Sequence, residues 1–140
     1  METKRVYNVE RYELLDGTEM EVRPFSIKKN RKAKELLNRI INSGVKKDEE
    51  GKELEDEFGQ PIPEMTDEEA EAIFIDVVAM AMIGQSSCAH LLDDRDKLED
   101  SLDDGTVFAV IKATTGYDFL AMQERAANIL TQIETEKNRP

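Results

Sequence analysis

The sequence predicts an α+β fold that is mostly α, in which an N-terminal two-stranded antiparallel β-hairpin packs on a bundle of four to five helices. Three observations indicate this fold class. The pair Asp16-Gly17 separates two short segments that are suited to strands. Helical spacing of apolar residues begins after Ser26 and recurs along the remainder of the chain. Capping residues and glycines divide that remainder into short helices.

The hairpin is predicted near residues 6–25. Asp16-Gly17 supplies the positive φ angles of a tight turn, and Pro24 ends the second strand because its nitrogen has no hydrogen to donate. Charged residues alternate with apolar ones after the turn, so one side of this strand is apolar. An isolated hairpin is marginally stable in water, so its apolar side must pack against a helix or a neighbouring chain. That side consists of Tyr12, Leu14, Met20 and Val22.

A basic helix follows the hairpin. Ser26 is the predicted N-cap, and Gly44 is predicted to end the helical run. The apolar positions at helical spacing are Ala33, Leu36, Leu37, Ile40 and Ile41. The basic positions that we assign to a partner-binding surface are Lys28, Lys29, Arg31 and Lys32. The alternatives for this basic face are a solvated surface that keeps the chain soluble and a phosphate-binding surface.

Residues 45–65 are predicted to be a flexible acidic linker. Apolar residues are few there, and Gly and Pro interrupt any helix. Leu54, Phe58 and Ile62 are either incidental or the anchors of a segment that becomes ordered on a partner. We see no internal repeat in the chain.

The helical bundle begins at a capping box formed by Thr66 and Glu69. The next helix has one apolar face that we expect to form the central seam of the core, namely Phe74, Val77, Val78 and Ala81. Its other faces are apolar too, which indicates either burial or a binding groove. The residues that we assign to such a groove are Met80, Met82 and Ile83.

Further helices follow to the end of the chain. One has Leu91, Leu92, Leu98 and Leu102 on one face, and a short one after Asp103-Asp104 ends at Gly116. Asp118 caps the last helix. The predicted organisation is one domain over residues 1–140: hairpin and basic helix 1–44, linker 45–65, helical bundle 66–134 and a frayed tail 135–140.

Charge is distributed unevenly. The formal net charge is −12, yet the residues through Lys47 have 12 Lys and Arg against 7 Asp and Glu, and the remainder has 7 against 24. An acidic balance argues against general nucleic-acid binding, which requires clustered Lys and Arg. The apolar stretch 72–83 is too short to span a bilayer. A lone Cys88 and no recognisable secretory leader indicate a reducing cytosol.

No constellation of residues indicates catalysis or metal binding. Cys88 and His90 stand at i, i+2, a spacing that points two side chains apart on a helix, and together they fall short of the four ligands of a zinc site. Aligning Gly105 with the glycine of a calcium-binding loop places Ile111 where a bidentate Glu is required. The seven glycines are dispersed and form no phosphate-binding loop. We therefore predict no catalytic residue, no metal and no cofactor.

Two segments carry a family resemblance. The first is the hairpin Asp16-Gly17-Thr18-Glu19-Met20-Glu21-Val22-Arg23-Pro24 with the basic helix after it, and the second is the turn Ala113-Thr114-Thr115-Gly116-Tyr117-Asp118 between two helices. This pattern resembles the tail assembly chaperones of long-tailed, siphophage-type bacteriophages. The resemblance implies a non-enzymatic protein that coats the tape measure protein and recruits tail tube subunits before polymerisation. It also implies that the protein is located in the host cytoplasm, that it is absent from the finished virion, and that self-association is compatible with its function.

Two other functions fit the same residues. A structural connector or adaptor subunit would remain in the phage particle. An acidic mimic of nucleic acid would place Asp and Glu along one face at phosphate-like intervals, but it has no use for the basic N-terminal half. The three hypotheses share one feature, since each describes a protein that binds other proteins and has no active site.

Overall fold

The computed structural model of the chain describes residues 9–121. Strands β1 (Glu10–Glu13) and β2 (Glu19–Val22) pair antiparallel, with Tyr12 opposite Met20. Five α-helices follow: α1 (Ile27–Ile41), α2 (Asp67–Met82), α3 (Ala89–Leu92), α4 (Arg95–Ser101) and α5 (Asp104–Thr115). The predicted fold class, a hairpin on a mostly helical bundle, is confirmed.

The hairpin turn differs in detail from the prediction. The Leu14 N–H donates to the Thr18 carbonyl at 2.8 Å, which closes a three-residue loop rather than a two-residue one. Gly17 has a φ of 87°, and no other residue type in the described chain has a positive φ, so Asp16 does not share that conformation. The Asp16 carboxylate instead accepts the Thr18 N–H at 3.0 Å. An αL glycine that ends a three-residue loop is a common hairpin solution.

Helix α1 begins as predicted, because the Ser26 hydroxyl accepts the Lys29 N–H at 3.3 Å. Ala33 and Leu37 are fully buried on the face that meets the bundle. The helix ends at Ile41 with Asn42 as its cap, so the prediction that Gly44 ends it is three residues too long. Local polarity accounts for the difference, since Asn42 and Ser43 offer side chains that compete for backbone hydrogen bonds.

Helix α2 begins at the predicted Thr66, whose hydroxyl accepts the Glu69 N–H at 3.1 Å. In a complete capping box the Glu69 carboxylate would also accept the Thr66 N–H. Among the described residues this second bond is not made, and the Glu69 carboxylate accepts from the Thr66 hydroxyl instead. Val77 and Val78 are completely buried, while Phe74 and Ala81 are partly buried beside them. The central seam of the core therefore lies where the helical spacing of apolar residues predicted it.

The predicted helix along Leu91 to Leu102 is two helices. Asp94 stands between α3 and α4, and its carboxylate accepts the N–H of Asp96 at 3.1 Å and of Lys97 at 3.4 Å. An N-cap at this position starts a new helix axis. Leu91 and Leu98 still reach the core, with 1% and 2% of their surface exposed.

The core joins the hairpin to the helices. Met20 and Val22 of β2 are 0% and 1% exposed, and Leu14 is also buried, which confirms the predicted apolar side of the hairpin. Aromatic packing closes the other end of the core, where the Phe74 ring lies edge-on to Phe108 at 5.3 Å and to Phe119 at 4.9 Å between centroids. Edge-to-face pairs at such distances add to the burial of the rings.

The end of α5 is as predicted, with Gly116 at a φ of 84°. Asp118 caps the next helical turn, because its carboxylate accepts the Ala121 N–H at 2.9 Å. The rest of the predicted last helix and the predicted frayed tail lie outside the described residues. Within residues 9–121 no helix has the length and apolar character needed to cross a membrane.

Residues 45–63, predicted to belong to a flexible linker, form a hydrogen-bonded structure that we call the acidic meander. Three extended pieces meet in a closed cycle of backbone bonds: Lys46 N–H donates to the Ile62 carbonyl at 2.8 Å, Ile62 N–H to Leu54 at 3.1 Å, and Leu54 N–H to Lys46 at 2.8 Å. Each pair of pieces is antiparallel. The mobility of this segment stays a prediction, but its backbone has a defined path.

Two equivalent turns connect the three pieces of the acidic meander. Each begins with an aspartate whose carboxylate accepts the N–H groups two and four residues later, all at 2.9 Å. Each contains a glycine of positive φ three residues after the aspartate. The pairs are Asp48 with Gly51 and Asp56 with Gly59. The turns repeat after eight residues, so the expectation of no internal repeat is wrong.

Candidate functional site

The N-terminal turns of α1 and the C-terminal end of α2 lie side by side and form a shallow groove of about 240 Å³. We call it the α1–α2 groove. Three of its lining residues are lysines of the basic helix, and two are apolar residues of α2. The complete lining is Ser26, Lys28, Lys29, Lys32, Met80 and Ile83. Five of the ten residues that the sequence assigned to partner binding therefore lie together.

Local structure explains why these side chains meet. Lys28 and Lys32 stand one helical turn apart and share a face of α1. Ile83 is the C-cap of α2, where the backbone leaves the helix, and 62% of its surface is exposed. Met80 lies half-buried beneath it in the last turn of the helix. The groove thus has an apolar floor and a basic rim.

A second depression of about 410 Å³ continues the groove towards the hairpin. It shares Ser26, Lys29 and Ile83 with the α1–α2 groove and adds Phe25 among its lining residues. The Lys29 ammonium lies 5.1 Å from the centroid of the Phe25 ring, a cation–π distance that fixes the lysine at the junction. Ile27 is 82% exposed at the start of α1. Phe25 was not assigned to the site from the sequence, because an aromatic residue next to the N-cap Ser26 belongs to no binding motif. Ile27 lines neither depression.

The edge of this surface is held by one side chain. The Gln85 amide oxygen accepts the Glu21 N–H at 2.8 Å, and its NH2 group donates to the Glu21 carbonyl at 2.7 Å and to the Ala81 carbonyl at 2.7 Å. Gln85 therefore pairs with β2 as a third strand would and ties it to the end of α2. Sequence reasoning missed this residue, which carries no charge and belongs to no motif.

The groove is rich in positive charge. Residues 26–34 contain five basic side chains and no acidic one: Lys28, Lys29, Arg31, Lys32 and Lys34. Among the described residues, no carboxylate lies within ion-pair distance of Lys28, Lys29 or Lys32. The first turn of α1 contains no acidic residue. Positive charge at a helix N-terminus opposes the helix dipole, so these lysines destabilise the first turns of α1.

The other predicted partner residues lie elsewhere. Arg31 is exposed but does not line the groove, although it stands on the same helix. Met82 is completely buried in the core and offers no surface to a partner, because it faces the bundle, away from Met80 and Ile83. Leu54, Phe58 and Ile62 belong to the acidic meander, where Phe58 is 83% exposed and Leu54 39%.

Cys88 and His90, the residues considered for catalysis, have different surroundings. Cys88 is buried, and burial raises the pKa of its thiol, which disfavours the thiolate nucleophile. The exposed His90 ring lies 3.3 Å from the Asp16 carboxylate and 3.2 Å from the Thr18 hydroxyl, against the hairpin turn. In the part of the chain that the structure describes, no three His, Cys, Asp or Glu side chains are grouped to hold a metal ion.

Two further pKa values are shifted in the hairpin, one mainly by hydrogen bonds and one mainly by burial. The Thr18 N–H and hydroxyl both donate to Asp16 and lower the pKa of its carboxyl group. Burial and the neighbouring Glu10 carboxylate raise the pKa of Tyr12 to about 12. Both shifts follow from contacts that stabilise the hairpin.

Comparisons with protein-family models, with curated proteins and with solved structures found no match to this chain. The resemblance to tail assembly chaperones therefore stays a prediction, and its residue-level basis is the segment from Leu15 to Ile41.

Proposed function

We propose that this chain is a non-enzymatic chaperone of bacteriophage tail assembly. It binds tape measure and tail tube proteins in the host cytoplasm before the tail polymerises and is absent from the finished particle. The observation that carries the proposal is the α1–α2 groove, where the exposed Ile83 and the half-buried Met80 lie beside lysines that have no carboxylate partner among residues 9–121. The hairpin-on-bundle fold is the one that the family resemblance implies, which adds support.

The groove has the features of a protein-binding surface. An amphipathic client helix with acidic residues flanking its apolar face would place carboxylates on Lys28 and Lys32 and apolar side chains on Ile83. Such charge complementarity selects partners and speeds their encounter. The lysines at the start of α1 weaken the helix locally, and departures from local rules concentrate at functional sites.

The size of the surface indicates a reversible interaction. Complete burial of Met80 and Ile83 would contribute roughly 1.5–3 kcal/mol for each side chain, less the part that is already buried in the free chain. Because association itself costs several kcal/mol, these side chains alone leave little net affinity, and the groove supports weak binding. Reversible binding suits a chaperone, because its client must leave when the tail forms.

The proposal is tested by co-expression of the chain with the tape measure and tail tube proteins of its own genome, followed by capture and titration. We expect Ile83→Asp and the double variant Lys28→Glu/Lys32→Glu to weaken client binding at least tenfold, about 1.4 kcal/mol. Arg31→Glu is the matched control, since it reverses a charge on the same helix outside the groove. All of these side chains are exposed or half-buried, so the variants should fold.

Two outcomes would contradict the proposal. The first is client binding that is unchanged in both groove variants while circular dichroism shows them folded. The second is recovery of the chain in purified virions in amounts that match a structural subunit, which would favour a connector instead.

A further inference from the structure

A second groove lies at the other end of the α1–α2 pair. It has a volume of about 630 Å³ and is formed where α1 ends and where α2 and α5 begin, with Phe119 beside them. We call it the aromatic groove. Of the described residues that line it, six are apolar, three are acidic and none is basic. Helix α1 spans about 22 Å, so this groove is separate from the α1–α2 groove, where α1 begins.

Three phenylalanine rings form the floor of the aromatic groove. The ring of Phe74 contacts those of Phe108 and Phe119 edge-on, and the centroids of the latter two lie 6.5 Å apart. Phe119 is buried, whereas Phe74 and Phe108 are half-buried and Ile41 at the edge is 44% exposed. Because the rings hold one another in place, a bound side chain would not have to order them, which lowers the entropic cost of binding.

The rim of the aromatic groove is acidic. On α2, Asp67, Glu71 and Phe74 follow one another at helical spacing and share a face, and on α5 Asp104 and Phe108 do the same. Each helix therefore places carboxylates next to its phenylalanine. In residues 9–121 none of these three carboxylates makes an ion pair. A first-turn carboxylate stabilises its own helix, but Glu71 stands in the second turn of α2.

The walls of the groove determine which backbone conformation a bound segment can have. Apart from Phe119, every described lining residue belongs to a helix, and none belongs to a strand. Helices keep their backbone hydrogen bonds to themselves, so the groove has no strand edge with which an extended segment could pair. A bound segment must satisfy its own backbone N–H and carbonyl groups, as a helix does.

We propose that the aromatic groove binds a helical segment of a partner protein in which basic residues flank an apolar stripe. The stripe packs on the phenylalanine rings, and the basic side chains pair with Asp67, Glu71 and Asp104. The α1–α2 groove is lined by lysines and selects the opposite sign of charge, so one segment does not suit both grooves. The inference does not use the α1–α2 groove and its test uses no phage protein, so it can fail separately from the proposed function.

The probe is a synthetic peptide of about 18 residues, five helical turns, with leucines at helical spacing and lysines on both sides of the leucine stripe. A second peptide has the same composition in an order that forms no stripe, and a third has glutamate in place of lysine. Fluorescence anisotropy of each labelled peptide is measured during titration with the full chain. We expect the ordered lysine peptide to bind at least about tenfold more tightly than the other two. The reordered peptide controls for attraction to the net charge of −12.

The two helices supply a matched pair of double variants. Ile41→Ser/Glu71→Lys alters the groove, and Ile27→Ser/Glu68→Lys makes the same changes on the same helices outside it. All four side chains are exposed, so both variants should fold. We expect the groove variant to bind the ordered lysine peptide at least about tenfold more weakly than the wild type, and the control to stay within about twofold. Glu71→Lys alone repeats the test without changing an apolar residue.

Three results would overturn the inference. The first is a wild-type chain that does not bind the ordered lysine peptide at about 500 μM and low salt, as it would if residues 122–140 or a second copy of the chain occupied the groove. The second is equal affinity for the ordered and the reordered lysine peptides. The third is equal affinity of the groove variant and its control, with circular dichroism and thermal melting showing both to be folded.

Discussion

Replacing Gln85 by Ala tests whether one side-chain amide holds the hairpin to the helices. The wild-type amide makes three hydrogen bonds, two to the backbone of Glu21 and one to the carbonyl of Ala81. The variant loses all three and leaves a half-buried N–H and carbonyl of β2 without these partners. Strand β2 would still be attached by its buried side chains and by the Ser87 hydroxyl, which donates to the Glu19 carbonyl at 2.8 Å.

The expected loss in the free energy of unfolding follows from the number of hydrogen bonds that Gln85→Ala removes. A hydrogen bond contributes about 0.5–1.5 kcal/mol net, which for three bonds gives about 1.5–4.5 kcal/mol. Because Glu21 is half-exposed, water can replace part of what is lost, so we expect about 2 kcal/mol. With a urea m-value of about 2 kcal/mol/M, the midpoint of unfolding should fall by about 1 M.

The assay is equilibrium urea unfolding followed by far-UV circular dichroism. Gln60→Ala is the matched control, since it removes the same amide from an exposed position in the acidic meander. Gln85→Glu adds a second test, because it keeps an acceptor for the Glu21 N–H but puts an oxygen against two carbonyls. If the midpoint of Gln85→Ala lies within about 0.3 M of that of Gln60→Ala, the reasoning about the amide is wrong.

Two further predictions concern the core and the hairpin turn. Val77→Asp should abolish folding, because an unpaired buried carboxylate costs several kcal/mol against a total stability of about 5–15 kcal/mol. Size-exclusion chromatography and circular dichroism provide the measurement, with the exposed Ala72→Asp on the same helix as control, and a folded Val77→Asp would contradict the assigned core. The lowered pKa of Asp16 means that its carboxylate stabilises the fold above its ordinary pKa and loses that effect as the pH falls through the folded-state value. The urea midpoint of Asp16→Asn should therefore lie below that of the wild type at pH 7, and the difference should shrink below about pH 4; a difference that is constant with pH would refute this account.

Local rules were sufficient for most helix and strand ends. Ser26, Thr66 and Asp118 cap helices as predicted, since each side chain bonds a backbone N–H two or three residues away and needs no tertiary information. Gly116 ends α5 for the same kind of reason, a positive φ that other residues avoid. The break between α3 and α4 at Asp94 was not predicted, because the leucine spacing continues through both helices.

The acidic meander shows where such rules stop. Its cycle of backbone bonds joins Lys46, Leu54 and Ile62 across two turns, and apolar periodicity along a single helix or strand does not report which residues pair across turns. A signal was present in the recurrence of an aspartate followed three residues later by glycine, at Asp48 and Asp56. Composition alone suggested a linker, because turns and unstructured segments use the same polar residues.

Part of the candidate site could be predicted from the sequence. A run of basic residues on the predicted first helix drew attention to Lys28 and Lys32, and apolar residues on several faces of the next helix drew attention to Met80 and Ile83. Which of them share a surface depends on how α1 packs against α2, and that arrangement is set by tertiary contacts. Met82 illustrates the limit, since it lies within three residues of Met80 and Ile83 but faces the core.

The bond from the Glu64 N–H to the Gly44 carbonyl also bears on how this chain can change. Residues 45–63 leave the fold and return to it at nearly the same point, so the helices on either side require no particular length between them. Loop-closure entropy grows slowly with length, which makes such a position tolerant of exchange. The acidic meander is thus an insert in a helical hairpin, and it can be shortened, replaced or used to carry a label while α1 and α2 keep their packing.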